Sequence, residues 1–376
     1  MKKEIPITLI TGYLGSGKTT LINHILQNEN QKKIAVIVND IGEVNIDETL
    51  IEQGGVVNKK DSSLVALTNG CICCNLKMDL VEQINEIIAQ DKFDAIVIES
   101  SGICEPIPIV QTITMMPEMM KSKENCYLDA VITVVDAIRL KEEFQCGNSL
   151  KKENIDEEDM EKLIIEQLEF CNIIILNKKD EVSKEELAEI EAVIRSIQPQ
   201  AKIIETNYSK VEINQIFDTH LFDLEASSMT AGWIEAMNNP EEVMTSEEVL
   251  EYGISTFVYY RREPFNRKMF YEFLDQKWDS SIIRCKGLVY FTDEMDTAYM
   301  VESAGNSKNL VSTGPFVCAL PEQEQQMILI QNPDIVDIWD ENYQDRMNKI
   351  VFIGKNMDKE GIVAQLDSFL DLSIIK

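Results

Sequence analysis

A chain of 376 residues with 44% hydrophobic side chains can fill more than one packed core, which excludes wholesale disorder. Its 35 Lys and Arg against 65 Asp and Glu leave a formal charge of −30. That balance opposes binding to nucleic acid or to an anionic membrane, both of which rely on Lys and Arg, so a phosphate-bearing ligand needs its own local positive potential.

No stretch reaches the ~18 uninterrupted apolar residues of a membrane span. Lys2 and Lys3 precede a short apolar run without a small-residue cleavage site, which reads as a first strand. A cytoplasmic location is the expectation. In that compartment nine cysteines suit free thiols or metal ligands better than disulfides. Cys104, Cys126, Cys146, Cys171, Cys285 and Cys318 stand singly and read as small packed side chains. Cys71, Cys73 and Cys74 cluster.

In chain order, Ile5–Ile10, Ile34–Val38, Ala95–Ile98, Ala130–Val135, Ile173–Leu176 and Lys202–Ile204 predict strands. Most are apolar without alternation, as parallel strands covered on both faces must be. Segments with helical spacing lie between them, such as Leu80, Val81, Ile84, Ile87 and Ile88, and Leu187, Ile190, Val193, Ile194 and Ile197. The alternation predicts an α/β fold with βαβ crossovers and a three-layer, largely parallel sheet over residues 1–225. Residues 226–250 read as a linker. Residues 251–376 read as a smaller α+β domain, with strands at Ile254–Tyr260, Leu288–Phe291, Ala298–Val301 and Ile350–Ile353. Its helices are expected at Asn266–Leu274 and from an Asp358 N-cap to about Leu370.

Gly12-Tyr-Leu-Gly-Ser-Gly17-Lys18-Thr19 follows the first strand and opens a helix. It fits the phosphate-binding loop G-x-x-x-x-G-K-[ST], in which inward-turned N–H groups and a helix N-terminus cradle phosphates. Gly12, Gly15, Ser16, Gly17, Lys18, Thr19 and Thr20 are the expected contacts. Lys18 places a cation on the β- and γ-phosphates, and Thr19 offers its hydroxyl to Mg²⁺. Asn177-Lys178-Lys179-Asp180, after the strand Ile173–Leu176, matches the guanine reader N-K-x-D. The Asp180 carboxylate can accept both N1–H and N2–H of guanine, a donor pair that adenine lacks. Asn177 would brace the loop, and the Lys178 stem would cover the base. Glu205-Thr206-Asn207 stands where a second base-contacting loop belongs.

Glu99-Ser100-Ser101-Gly102 ends the strand Ala95–Ile98. Glu99 there can hold a Mg²⁺-bound water, and Gly102 can offer its N–H to a γ-phosphate. Asp40, in Asn39-Asp40-Ile41-Gly42-Glu43, is a switch candidate near Mg²⁺ or the attacking water. Lys18, Asp40 and Glu99 are thus the catalytic candidates. Asn69-Gly70-Cys71-Ile72-Cys73-Cys74 follows the apolar run Leu64–Leu67. Three thiolates in four residues make a soft, compact site suited to Zn²⁺ or Cu(I), with Glu43, water or a client completing the shell. A redox pair and inert packed thiols remain as other readings. His24 and His220 read as helix-packing or surface residues.

The order phosphate loop, G-C-I-C-C, E-S-S-G, N-K-x-D resembles that of the CobW-type GTPases. Tyr259-Tyr260-Arg261-Arg262-Glu263-Pro264-Phe265, Ile283-Arg284-Cys285-Lys286-Gly287 and Val351-Phe352-Ile353-Gly354 resemble the family's C-terminal domain. The resemblance implies a GTP-hydrolysing metallochaperone that uses GTP and Mg²⁺. It would load zinc, or cobalt in some branches, onto a client metalloprotein or a metallocofactor enzyme. A monomer or homodimer is expected. Asp40 stands where many relatives carry Glu, and the chain has no His-rich tract. Rival readings are a redox-sensing GTPase, a GTPase of a cobalt or corrinoid pathway, and an ATP-dependent kinase or ligase, the last opposed by Asp180.

Overall fold

Strands without alternation must be covered on both faces, and in the computed structural model they are. The structure describes residues 4–27, 32–39, 64–67, 77–102, 105–120, 126–144, 155–224, 231, 234, 237, 252–304 and 307–372. The chain divides into two units: Met1–Glu142 with Leu163–Ala231, and Glu143–Lys162 with Gly232–Lys376.

The first unit holds β1 (Ile5–Thr11), β2 (Ile34–Asn39), β3 (Leu64–Leu67), β4 (Ala95–Glu99), β5 (Cys126–Asp136), β6 (Ile173–Asn177) and β7 (Lys202–Glu205). Their order is β3-β2-β4-β1-β5-β6-β7, with every neighbouring pair parallel. Ile7 and Leu9 are fully buried, and so are Thr8 and Ile10 on the opposite face of β1. Its helices are α1 (Lys18–Leu26), α2 (Lys77–Ala89), α3 (Pro106–Met120), α4 (Ala137–Phe144), of which the last two residues fall in the second unit, the part from Leu163 onward of α5 (Ile155–Glu169), and α6 (Lys184–Ile197). Leu80, Val81, Ile84 and Ile87 of α2 are buried, as their spacing predicts. His24 of α1 packs with its Nε2 2.7 Å from the Val211 carbonyl oxygen.

In this unit two strands depart from the sequence expectation by more than a residue. Leu64–Leu67, read only as an apolar run, is the edge strand beside β2. β5 begins at Cys126 rather than Ala130 because Asp129, which interrupts the apolar run, is accommodated inside: its Oδ1 accepts the His220 N–H at 2.6 Å. Parallel pairing brings the C-terminal ends of all these strands to one edge of the sheet. In open α/β sheets ligands bind at that edge, where the chain reverses direction across the strand order.

The second unit is an antiparallel sheet of β8 (Ile254–Arg261), β9 (Ile282–Phe291), β10 (Glu294–Ala304), β11 (Ser307–Pro315) and β12 (Asn348–Lys355), ordered β11-β10-β9-β12-β8. Helices α7 (Arg267–Gln276), α8 (Glu322–Gln331), α9 (Pro333–Asp337) and α10 (Lys359–Asp367) accompany it. Phe257, Phe265, Phe270, Phe273, Phe352 and Leu366 form its core with their neighbours. Asn266 caps α7 by accepting the Met269 N–H at 3.2 Å, and Asp358 caps α10 through the Gly361 N–H at 3.0 Å. The last helix stops at Asp367 instead of Leu370, which forms a bridge with Phe265. The sequence predicts β9 only from Leu288 and β10 only over Ala298–Val301, so both run longer than expected. β11, an edge strand rich in polar residues, carries no apolar pattern that predicts it. Among the described residues no helix is long and apolar enough to cross a membrane.

Candidate functional site

β1 ends at Thr11, and the next residues turn back over the edge of the sheet. Gly12 has φ +137° and Gly17 φ +113°, conformations that L side chains rarely adopt. A Cβ on Gly12 would lie 2.3 Å from the Val134 oxygen, and one on Gly17 would lie 2.4 Å from Asn177 Nδ2. Both glycines therefore serve close backbone approach as well as the turn. Gly15 is exposed at φ +82°, with open space around it. α1 begins at Lys18 with no acidic residue in its first turn, so its N-terminal potential is undiminished.

Lys18 is only 6% exposed. Its ammonium donates to the Gly12 oxygen at 2.7 Å and the Tyr13 oxygen at 3.2 Å, which hold the cation within the loop. Ser16 Oγ, Thr11 Oγ1 and Ser100 Oγ are buried and lack a hydrogen-bond partner among the described residues. Such orphaned oxygens are costly, and a polar ligand would satisfy those it reaches. Thr19 is half-buried and Thr20 exposed.

Glu99, the last residue of β4, is fully buried in register with Ile10 of β1. The Ser100 N–H donates to the Ile10 oxygen at 2.9 Å. A Cβ on Gly102 would sit 2.8 Å from the Leu14 nitrogen, so the Glu99–Gly102 turn lies against the phosphate loop. Thr19 hydroxyl and Glu99 carboxylate are hard oxygen donors of the kind Mg²⁺ takes, and the polar orphans beside them agree with a charged ligand there.

β6 delivers Asn177 to the same place. Asn177 Nδ2 donates to the Ser16 oxygen at 2.9 Å, and its Oδ1 accepts the Ser209 N–H at 2.9 Å. Ser209 Oγ donates to the Gly17 oxygen at 3.0 Å. Asp180 is exposed, and its N–H donates to Asn207 Oδ1 at 3.1 Å. The Lys179 N–H reaches the Thr206 oxygen at 3.4 Å. The phosphate loop, the Asn177–Asp180 turn and residues 205–209 are thus one hydrogen-bonded assembly. Asp40, Glu43, Cys71, Cys73 and Cys74 lie outside the described residues. Adjacent strands lead toward them, since β2 ends at Asn39 and β3 at Leu67.

Two family models match the chain. One, for the CobW/HypB/UreG nucleotide-binding domain, covers residues 6–205; the other, for the cobalamin synthesis protein CobW C-terminal domain, covers residues 254–370. The chain belongs to the CobW/HypB/UreG family. Zinc-regulated GTPase metalloprotein activator 1 of Dictyostelium discoideum is 34% identical over 385 residues, covering 98% of this chain and 80% of the relative. Zinc chaperone CobW of Pseudomonas aeruginosa is 34% identical over 223 residues, 56% of this chain and 58% of the relative. The zinc-bound crystal structure of the YjiA GTPase from E. coli aligns at 21% identity with a TM-score of 0.43, over 98% of this chain and 100% of that one.

The same hydrogen-bonded assembly includes residues that the motifs do not flag. Tyr13 is buried inside the phosphate loop, and its hydroxyl donates to the Asp136 oxygen at 3.1 Å while accepting the Asp136 N–H at 2.8 Å. The Asp136 carboxylate caps α4, accepting from Ile138 at 3.0 Å and Arg139 at 3.4 Å, and its other oxygen pairs with Lys178 Nζ. The Arg139 guanidinium stands 5.4 Å from the Tyr13 ring centroid. Lys178 itself has φ 59°, a left-handed conformation that the ion pair helps to hold. Asp136 after an apolar strand and before a helix carries a legible cap signal. Nothing local signals its partners 42 and 123 residues away. Ser209 is equally silent.

Proposed function

We propose that this CobW-family chain is a GTPase that binds zinc at Cys71, Cys73 and Cys74 and delivers it to a client metalloprotein. The observation that carries the nucleotide half is Asn177, bonded at once to the phosphate loop through Ser16 and to the Thr206–Ser209 segment. Those bonds support reading the phosphate loop and the guanine reader as one site. The relatives named for zinc support the metal half.

In this reading the phosphates lie over the Gly12–Thr19 loop, where its N–H groups, the α1 N-terminus and Lys18 supply positive potential to a chain of charge −30. Asp180 accepts the two guanine N–H donors. Thr19 and Glu99 would hold Mg²⁺, which when bound neutralises charge on the β- and γ-phosphate oxygens. Water attacks the γ-phosphorus, the bond to the β-phosphate oxygen breaks, and GDP and phosphate leave. Asp40 is the candidate for positioning that water, and Gly102 for reading the γ-phosphate.

β4, β2 and β3 are consecutive in the sheet and parallel, so Glu99, Asn39 and Leu67 all end at the nucleotide edge. In the sequence Cys71 follows four residues after Leu67. This adjacency supports coupling between the γ-phosphate and the three sulfurs, and transfer requires that metal affinity differ between the two nucleotide states. Zinc is the cargo.

Competition titrations test the reading. GDP should displace a fluorescent GDP analogue at concentrations where ADP does not, and Asp180→Asn should weaken GTP and favour xanthosine triphosphate. Stoichiometric zinc binding should vanish when Cys71, Cys73 and Cys74 are replaced together by Ser. Equal binding of ADP and GDP, or zinc retained by the triple variant, would contradict it.

A further inference from the structure

A helix of ten residues is marginal in water and normally persists because it buries an apolar face. In the second unit α7 buries Phe270, Phe273 and Leu274, and α10 buries Ile362 and Leu366. α8 is also ten residues long and carries Met327, Ile328, Leu329 and Ile330 in succession, yet none of its side chains is buried. Met327 is 63% exposed and Ile330 79%. Past the corner at Asn332 the exposure continues, with Val336 at 52% and Ile338 at 40%.

The helix is nonetheless anchored. Gln325 Nε2 donates to the Cys318 oxygen at 3.1 Å and the Leu320 oxygen at 2.8 Å. The Asp345 carboxylate accepts from the Val317 N–H at 2.7 Å and the Cys318 N–H at 3.0 Å. Polar contacts thus help to hold α8 in place, with Ile328 and Leu329 half-buried and Met327 and Ile330 turned to solvent. Several exposed apolar side chains grouped within residues 327–338 are a feature of interaction surfaces.

Charge selects the occupant. Residues 321–341 contain Glu322, Glu324, Asp334, Asp337, Asp340 and Glu341 and no Lys or Arg. Arg262 reaches the segment, but its guanidinium donates to the backbone oxygens of Ile338, Gln344 and Arg346. An apolar strip within carboxylates repels anionic lipid and nucleic acid. A second copy would bring the same acidic rim and the same net charge of −30 against it.

We propose that α8 and α9 form a docking surface for a cationic amphipathic segment of a partner protein, with Lys or Arg flanking an apolar stripe. The stripe covers Met327, Ile330, Val336 and Ile338, as in helix-in-groove recognition, and the flanking cations meet the carboxylates. The proposal is independent of the nucleotide and zinc readings.

The test uses the full chain and a fluorescein-labelled amphipathic helical peptide of Lys and Leu, followed by anisotropy. Met327→Ser with Ile330→Ser removes the apolar contact without changing charge, and exposed positions tolerate it without unfolding. Affinity should fall at least ~10-fold in this double variant and weaken with salt, while GTP hydrolysis stays at the wild-type rate. Unchanged peptide affinity in the double variant would overturn the proposal. So would equal binding of a Glu/Leu peptide or of phosphatidylserine vesicles, or self-association that the same double variant abolishes.

Discussion

Asp136 joins three parts of the nucleotide site, and two substitutions separate its contributions. Asp136→Asn keeps an oxygen for the Ile138 and Arg139 amides but removes the charge facing Lys178. Asp136→Ala removes both. Loss of a helix cap costs about 1 kcal/mol. The ion pair joins side chains 11% and 35% exposed, so it should be worth more than a fully solvated pair, about 1 kcal/mol. Asn should therefore destabilise the first unit by about 1 kcal/mol and Ala by about 2 kcal/mol, or about 2–4 °C and 4–8 °C in Tm. Scanning calorimetry on the nucleotide-free protein measures this. In both variants Lys178 loses the partner that offsets its left-handed backbone, so the Asn177–Asp180 turn loosens. Titration with a fluorescent GDP analogue should show affinity reduced about 3–10-fold. Equal stability losses in the two variants, or unchanged GDP affinity despite the lost stability, would refute the reasoning.

Gly17→Ala forces a Cβ into a backbone at φ +113° and against Asn177 Nδ2 at 2.4 Å. Calorimetry should show a loss of about 1–3 kcal/mol, and GDP titration should show binding abolished. Tyr13→Phe removes a hydroxyl bonded to both the N–H and the oxygen of Asp136, and about 1–2 kcal/mol of stability should go with it. Burial pushes the Cys171 thiol from 9.0 up to about 12. Above pH 9 the unfolded chain releases a proton that the folded chain retains. The thiol's contribution is therefore complete below pH 9 and is lost as pH rises toward about 12, at up to ~1.4 kcal/mol per pH unit. Cys171→Ala should flatten the alkaline stability slope measured by urea unfolding between pH 9 and 10. The native thiol should also resist a thiol reagent at pH 8 until the protein unfolds.

The parallel sheet was legible because β1, β4 and β6 are apolar at every residue or nearly so, a pattern that only double coverage explains. The phosphate loop and the Asn177–Asp180 turn were legible because their chemistry is local. Leu64–Leu67 escaped as a strand because four residues match strand and buried helix equally well. β11 escaped because Ser307, Lys308, Asn309, Ser312 and Thr313 suit an exposed edge rather than an apolar pattern. Asp136, Tyr13 and Ser209 escaped for a different reason. Their roles exist only once β5, the phosphate loop and residues 205–209 meet in space, and no spacing in the chain encodes that meeting. α8 could not be read from periodicity, since its four apolar residues run around the helix instead of along one side.

Delivery of a metal by nucleotide turnover stands on a single coupling. Its direct test is the equilibrium zinc affinity of the purified chain loaded with a non-hydrolysable GTP analogue and with GDP, each measured by competition with a chromogenic chelator. The account predicts affinities that differ at least ~10-fold between the two states, a difference of ~1.4 kcal/mol that disappears when Cys71, Cys73 and Cys74 are all replaced by Ser. Identical zinc affinity in both nucleotide states would contradict it.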